Sequence, residues 1–149
     1  MMQVKEIMTS NPACCTPNDP IQRAAKLMIE NDCGEIPVVQ TLDLCQPIGV
    51  ITDRDIVCRT VGRGLDPLNM TVSECMSTPL VFVGPEDGLD NCYRLMEENQ
   101  VRRLPVVGAD GSCIGIVALA DIALRASKAD SGEVLQDVSI ATGSASSVI

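Results

Sequence analysis

The chain has 149 residues, enough for one compact domain or two small halves sharing a core. A formal net charge of −9 and a pI near 4.3 argue against nucleic acid, whose affinity comes largely from Lys and Arg meeting phosphates. With 1% aromatic residues, the core falls to Val, Ile, Leu, Met, Ala and Cys, and base stacking on aromatic platforms is hardly available.

Residues Met1 to Asn11 mix Lys5 and Glu6 with apolar positions at helical spacing, unlike a secretory leader. Asp19 before Pro20 reads as helix cap and first helical position, and Ile21, Ala24, Ala25, Met28 and Ile29 share one helix face. Two β-branched runs follow, Ile36 to Val39 and Ile48 to Thr52, and a helix starts near Asp53. Gly62-Arg63-Gly64-Leu65-Asp66-Pro67 has the turn chemistry of a linker.

A second helix is expected from a cap at Asp87, with Leu89, Cys92, Tyr93 and Met96 on its buried face. Strands are expected at Leu104 to Val107 and Cys113 to Ala118, joined by an Asp110-Gly111 hairpin turn, with a helix from Leu119. A weaker helical patch at Val134 to Val138 precedes a Ser- and Ala-rich tail. No apolar run approaches the roughly 18 residues of a membrane span, so a soluble, cytoplasmic protein is expected.

The eight cysteines are scattered through apolar segments, form no C-x-x-C pair and have no His beside them. They read as reduced thiols acting as small hydrophobes, with no metal expected. The vicinal Cys14-Cys15 pair is the place where a redox role stays open.

The elements occur twice. Pro37 of Glu35-Ile36-Pro37-Val38-Val39 and Pro105 of Arg103-Leu104-Pro105-Val106-Val107 stand 68 positions apart (105 − 37), as do Met8 and Met76 of the Ile7-Met8-Thr9-Ser10 and Cys75-Met76-Ser77-Thr78 segments. Gly49-Val50-Ile51 with Asp55-Ile56 returns as Gly115-Ile116-Val117 with Asp121-Ile122 after 66 positions (121 − 55). Two copies are too few for a solenoid, which predicts pseudo-twofold packing.

At the first strand-to-helix junction, Thr52 and Asp55 admit two readings. They form a shortened capping box, or they present backbone donors to a phosphate and a carboxylate to the two hydroxyls of a ribose.

This duplicated pattern, with Met-Thr/Ser near its start, an apolar-Pro-Val strand after its helix and Gly-x-x-Thr-x-x-Asp at its last junction, resembles the CBS domain paired into a Bateman module. The resemblance covers about residues 4–126, and Thr52 to Val57 followed by Gly64 to Pro67 looks most like the small stand-alone bacterial members. It implies an α/β (α+β) fold of tandem β-α-β-β-α repeats: repeat 1 at 4–62, a linker at 63–71, repeat 2 at 72–127 and a C-terminal patch and tail at 128–149. It also implies an adenosine-containing ligand (AMP, ADP, ATP, NAD or S-adenosylmethionine) in a cleft between repeats.

On that resemblance Asp55 would hold the ribose, Thr52 and Arg54 would serve the phosphates, and Ile36, Pro37 and Val38 would flank the adenine. Arg102 and Arg103 would reach the phosphates from the other repeat, and Asp121 would mark a second cleft. The second junction, Ala118-Leu119-Ala120-Asp121, lacks the hydroxyl, and Gly34 and Glu35 stand where its arginines would be, so unequal clefts are expected.

The expected function is a regulatory module sensing an adenine nucleotide, and not an enzyme. No Ser or Cys stands beside a recognisable base. The alternative is a dimerisation or partner-docking module with a vestigial pocket. A homodimer through the junction helices, at Ile56-Val57 and Ile122-Ala123, and an unknown protein partner complete the expectation.

Overall fold

The computed structural model describes residues 2–129, so the helical patch and tail expected beyond them lie outside the described residues. The fold is mixed α/β: β1 (Thr9–Ser10), α1 (Ile21–Asn31), β2 (Glu35–Val39), β3 (Pro47–Thr52), α2 (Asp53–Arg59), α3 (Leu89–Asn99), β4 (Arg103–Val107), β5 (Cys113–Ala118) and α4 (Leu119–Ala129). Single 3-10 turns at Val4–Glu6, Val61–Arg63, Pro67–Asn69 and Val72–Glu74 complete it. The sheets are a two-stranded antiparallel β2-β3 and a three-stranded β1-β5-β4, with β1 antiparallel to β5.

The chain divides into two compact units that cut across the sequence repeats. The first-repeat unit holds Asn11–Val81 and Val107–Ile114; the second-repeat unit holds, of the described residues, 2–10, 82–106 and 115–129. Each unit therefore contains the body of one repeat and the opening segment of the other.

In the first-repeat unit, Ser77 bridges Val50, Thr71 bridges Pro20, and Val72 N donates to Asp19 O at 2.8 Å. In the second-repeat unit the equivalent positions repeat the pattern: Thr9 pairs with Ile116, Gln3 bridges Gly88, and Val4 N donates to Asp87 O at 2.9 Å. The foreign segment packs tightly over the glycine opening each Gly-x-x motif. A Cβ on Gly49 would lie 2.6 Å from Ser77 O, and one on Gly115 would lie 2.6 Å from Met8 Sδ and 3.0 Å from Thr9 O.

The core of the first-repeat unit gathers Ile21, Ala24 and Met28 from α1, Ile36, Val38 and Ile51 from the hairpin, and Val72 and Cys75 from the opening segment of repeat 2. That of the second-repeat unit buries Val4, Leu89, Cys92, Met96, Leu104, Val106, Val117 and Ile122. The apolar spacing thus predicted the α3 face, and Gly111, at φ 84, makes the turn expected at Asp110-Gly111.

Four expectations fail locally. Pro20, not Asp19, is the N-cap of α1, because Pro20 is extended (ψ 148) and the Asp19 carboxylate turns back to accept from Thr16 N at 2.9 Å. Gly88, not Asp87, is the N-cap of α3 for the same reason, with Asp87 Oδ2 accepting from Gly84 N at 2.8 Å. Ile29 is 81% exposed rather than on the buried face, and Leu27 packs against the core instead. Ile122 is 2% exposed and belongs to the core; among the described residues of the junction helices, the large apolar side chains that are exposed are Val57 and Leu124.

Candidate ligand site

Strand β3 ends in extended backbone at Thr52, and α2 begins at the next residue. Thr52 Oγ1 accepts from Asp55 N at 2.9 Å, and Asp55 Oδ2 accepts from Thr52 N at 3.0 Å. This reciprocal capping box satisfies two backbone donors and fixes the carboxylate at the strand end.

Two residues that the sequence reading missed complete the arrangement. Ser77 Oγ donates to both carboxylate oxygens of Asp55, at 2.9 and 3.0 Å, from the opening segment of repeat 2. Arg59, one helical turn beyond Asp55, brings Nε to 3.9 Å from Oδ1 while its Nη1 donates to the carbonyls of Cys75 and Met76 at 3.1 and 2.8 Å. Both were findable. Ser77 stands in the repeated Met-Ser/Thr segment, and the i, i+4 spacing of Asp55 and Arg59 returns as Asp121 and Arg125.

The Asp55 side chain keeps 12% of its surface exposed. Thr52 N and Ser77 Oγ both approach Oδ2, whereas Oδ1 takes only the other share of the Ser77 hydroxyl, with Arg59 Nε at 3.9 Å, so acceptor capacity for a ribose hydroxyl remains on Oδ1.

Of the other residues singled out by sequence, Ile36 (1% exposed), Pro37 and Val38 (0%) are buried in the same unit as Thr52 and Asp55. Pro37 O accepts from Cys15 N at 3.1 Å. Arg54 is exposed at the start of α2. Arg102, exposed, Arg103, half-buried, and Asp121, half-buried, belong to the second-repeat unit. There Arg102 O accepts from Leu119 N at 2.8 Å, and Asp121 Oδ2 accepts from Ala118 N at 3.2 Å. The second junction thus builds half of the box, since Ala118 has no hydroxyl with which to return the bond.

A depression of about 520 Å3 lies elsewhere in the first-repeat unit, lined by Thr16, Pro17, Asn18, Gln40, Thr41, Leu42, Asp43 and Ile48. None of the sequence-selected residues lines it. Burial, then the Asp19 carboxylate, pushes the Cys15 thiol up to about 12, and burial, then Asp87, does the same to Cys92. These thiols are protonated packing groups. Among the described residues no three His, Cys, Asp or Glu side chains are grouped to hold a metal ion, and no helix is long and apolar enough to cross a membrane.

The CBS domain family model matches twice, at residues 4–60 and 72–128. The chain is 42% identical to the CBS domain-containing protein YhcV of Bacillus subtilis over 140 residues, covering 93% of this chain and 96% of that protein. It is 34% identical over 123 residues to Hypoxic response protein 1 of Mycobacterium tuberculosis, covering 83% and 84% of the two chains. A crystal structure of Hypoxic Response Protein I with two coordinated zinc ions superposes with a TM-score of 0.74 at 32% identity, covering 83% of this chain and 98% of that one. CBSX2 in complex with AMP superposes with a TM-score of 0.72 at 26% identity, covering 88% of this chain and all (100%) of that one. With the duplicated junctions, the paired opening segments and a model match over both copies, the chain belongs to the CBS domain family as a tandem pair.

Proposed function

We propose that the chain is a regulatory module that senses an adenine nucleotide of the AMP, ADP, ATP or NAD class, with the Thr52–Asp55 junction as the centre of its site. The observation that carries this reading is the Asp55 carboxylate, fixed by Thr52 N and Ser77 Oγ with acceptor capacity left on Oδ1. A carboxylate so held suits a ribose hydroxyl. The AMP complex of the similarly folded CBSX2 supports the ligand class.

Thr52 and Arg54 lie beside that carboxylate in sequence, and Ile36, Pro37 and Val38 would contribute as the apolar floor. Arg102 and Arg103 are proposed from the repeat pattern as the cations for the phosphates, and Asp121 as the anchor of a weaker second site. The module would act by changing its own self-association or a partner surface, without chemistry on the ligand. Thermal-shift measurements with AMP, ATP, NAD and S-adenosylmethionine test the reading. Stabilisation by about 2.7 kcal/mol is expected with a ligand at 100 times its dissociation constant, and its loss in Asp55→Ala would tie the effect to this junction.

A second reading, a dimerisation or docking module with a vestigial pocket, draws on exposed apolar side chains after β3. Val57 (58% exposed), Val61 (64%), Leu65 (48%) and Leu68 (64%) lie along α2 and the turns that follow it. Absence of any shift with the four ligands, together with a stable homodimer, would favour it.

A further inference from the structure

None of the eight cysteines is in a disulfide, and three of them meet in the first-repeat unit. Cys14 Sγ lies 3.7 Å from Cys45 Sγ. Cys45 Sγ also lies 3.7 Å from the carbonyl of Cys113, and Cys113 N donates to Cys45 O at 2.8 Å. Cys45 sits at φ 53 in the loop between β2 and β3, with its amide donating to Thr41 O at 2.9 Å. Cys14 precedes the Cys15–Val38 bridge that fixes its strand segment. Cys14 and Cys45 are half-buried residues, whereas Cys15 is fully buried and its Sγ faces Pro37 O at 3.9 Å.

We propose that Cys14 and Cys45 are a disulfide-forming pair, a reversible oxidation site that staples the segment before α1 to the β2–β3 loop. The partner of Cys14 is thus the loop cysteine, not its sequence neighbour Cys15. The 3.7 Å between the two sulfurs has to close to the roughly 2.0 Å of an S–S bond.

The oxidant is a small-molecule disulfide such as glutathione disulfide. One cysteine thiolate attacks it, forming a mixed disulfide and releasing one small thiolate. The second cysteine thiolate attacks the protein sulfur of the mixed disulfide and releases the other. The two cysteines lose two electrons and two protons, and the oxidant leaves as two thiols.

The surroundings favour the closed form. The Cys113 thiol, then burial, then Cys45 raise the Cys14 thiol well above its ordinary value, so nothing there stabilises its thiolate. A reduced pair whose thiolate is not stabilised is a weaker oxidant when closed, and its disulfide persists longer. In a reducing compartment such a bond is transient and reports redox state. It would also flank the depression lined by Thr16, Pro17, Thr41 and Asp43, so oxidation would fix two of its walls.

The test uses the full chain, reduced and then exposed to glutathione disulfide, with non-reducing peptide mapping by fragmentation mass spectrometry. A Cys14–Cys45 linkage should dominate while Cys75 and Cys92 stay unmodified. The unfolding temperature should rise by roughly 5–10 °C on oxidation and fall back with dithiothreitol. Cys113→Ala should keep the linkage and Cys45→Ser should abolish it; the wild-type map and melting shift decide even if a variant misfolds. A dominant Cys14–Cys15 or Cys14–Cys113 linkage, no linkage when exposed Cys58 is already modified, or thiols shielded by a metal that a chelator removes would overturn the proposal.

Discussion

Ser77 Oγ holds both oxygens of the Asp55 carboxylate, at 2.9 and 3.0 Å, although the two residues belong to different copies of the repeat. The serine that opens the second copy is thus part of the junction that closes the first. Hydrogen bonds to charged groups contribute roughly 1.5–3 kcal/mol, so Ser77→Ala should lower unfolding stability by about that much in urea titrations. Thr52→Ala, which removes the other half of the cap, should cost about 1 kcal/mol.

Close approach of the opening segment makes Gly49 the most restrictive position of its motif. Gly49→Ala would drive a Cβ to 2.6 Å from the Ser77 carbonyl, a backbone atom that cannot swing aside. A loss of roughly 1–3 kcal/mol is expected. In Gly64→Ala, where the only obstacle is φ 74 in open space, the loss should be about 1 kcal/mol. Denaturation midpoints of the two variants side by side give the comparison.

The two junctions should differ in ligand affinity. Asp55 lies in a full capping box with a serine donor, whereas Asp121 accepts from Ala118 N without a returning hydroxyl. Loss of the Asp55 carboxylate should weaken an adenine nucleotide by roughly one to two orders of magnitude. Calorimetry with ATP on Asp55→Ala and Asp121→Ala measures this, and equal losses would refute it. Arg103→Ala should weaken ATP more than adenosine.

Alkaline pH should destabilise the fold through its buried thiols. Cys15 and Cys92 are raised from 9.0 to about 12, so between those values the unfolded chain releases protons that the native chain retains. Stability is then fully present below about pH 9 and drains as pH rises toward 12, by about 1.4 kcal/mol per pH unit for each thiol. Cys92→Ala should make the fall between about pH 9.5 and 11 shallower by that amount.

Self-association should depend on the exposed apolar side chains of the junction helices, Val57 at 58% and Leu124 at 55%. Sedimentation should find a homodimer at micromolar concentration, and Val57→Asp should shift it toward monomer. A wild-type chain that sediments as a monomer with and without nucleotide would end this reading.

The order of elements was legible in the sequence because periodicity and turn chemistry are local. β5 falls on the expected Cys113 to Ala118, and the Leu89, Cys92 and Met96 face is buried as its spacing predicts. The misplaced caps at Asp19 and Asp87 have one cause: each carboxylate has a competing backbone donor three residues upstream, which helix-start rules do not weigh.

At the site, Thr52 and Asp55 were visible as a motif, because a capping box is also a local pattern. Ser77 was visible only as part of the repeated Met-Ser/Thr segment; its bond to Asp55 was not, because it spans 22 residues and depends on where the opening segment of a different repeat is laid down. The Cys14–Cys45 proximity was hidden likewise, across 31 residues.

The traded opening segments bear on folding order. Because both copies lie in one chain, the exchange is intramolecular, with an effective local concentration set by the short stretch from Thr60 to Met70. It also left a constraint on synthesis: residues 72–78 leave the ribosome after all of repeat 1, so the first-repeat unit cannot finish folding until the second repeat has begun to emerge.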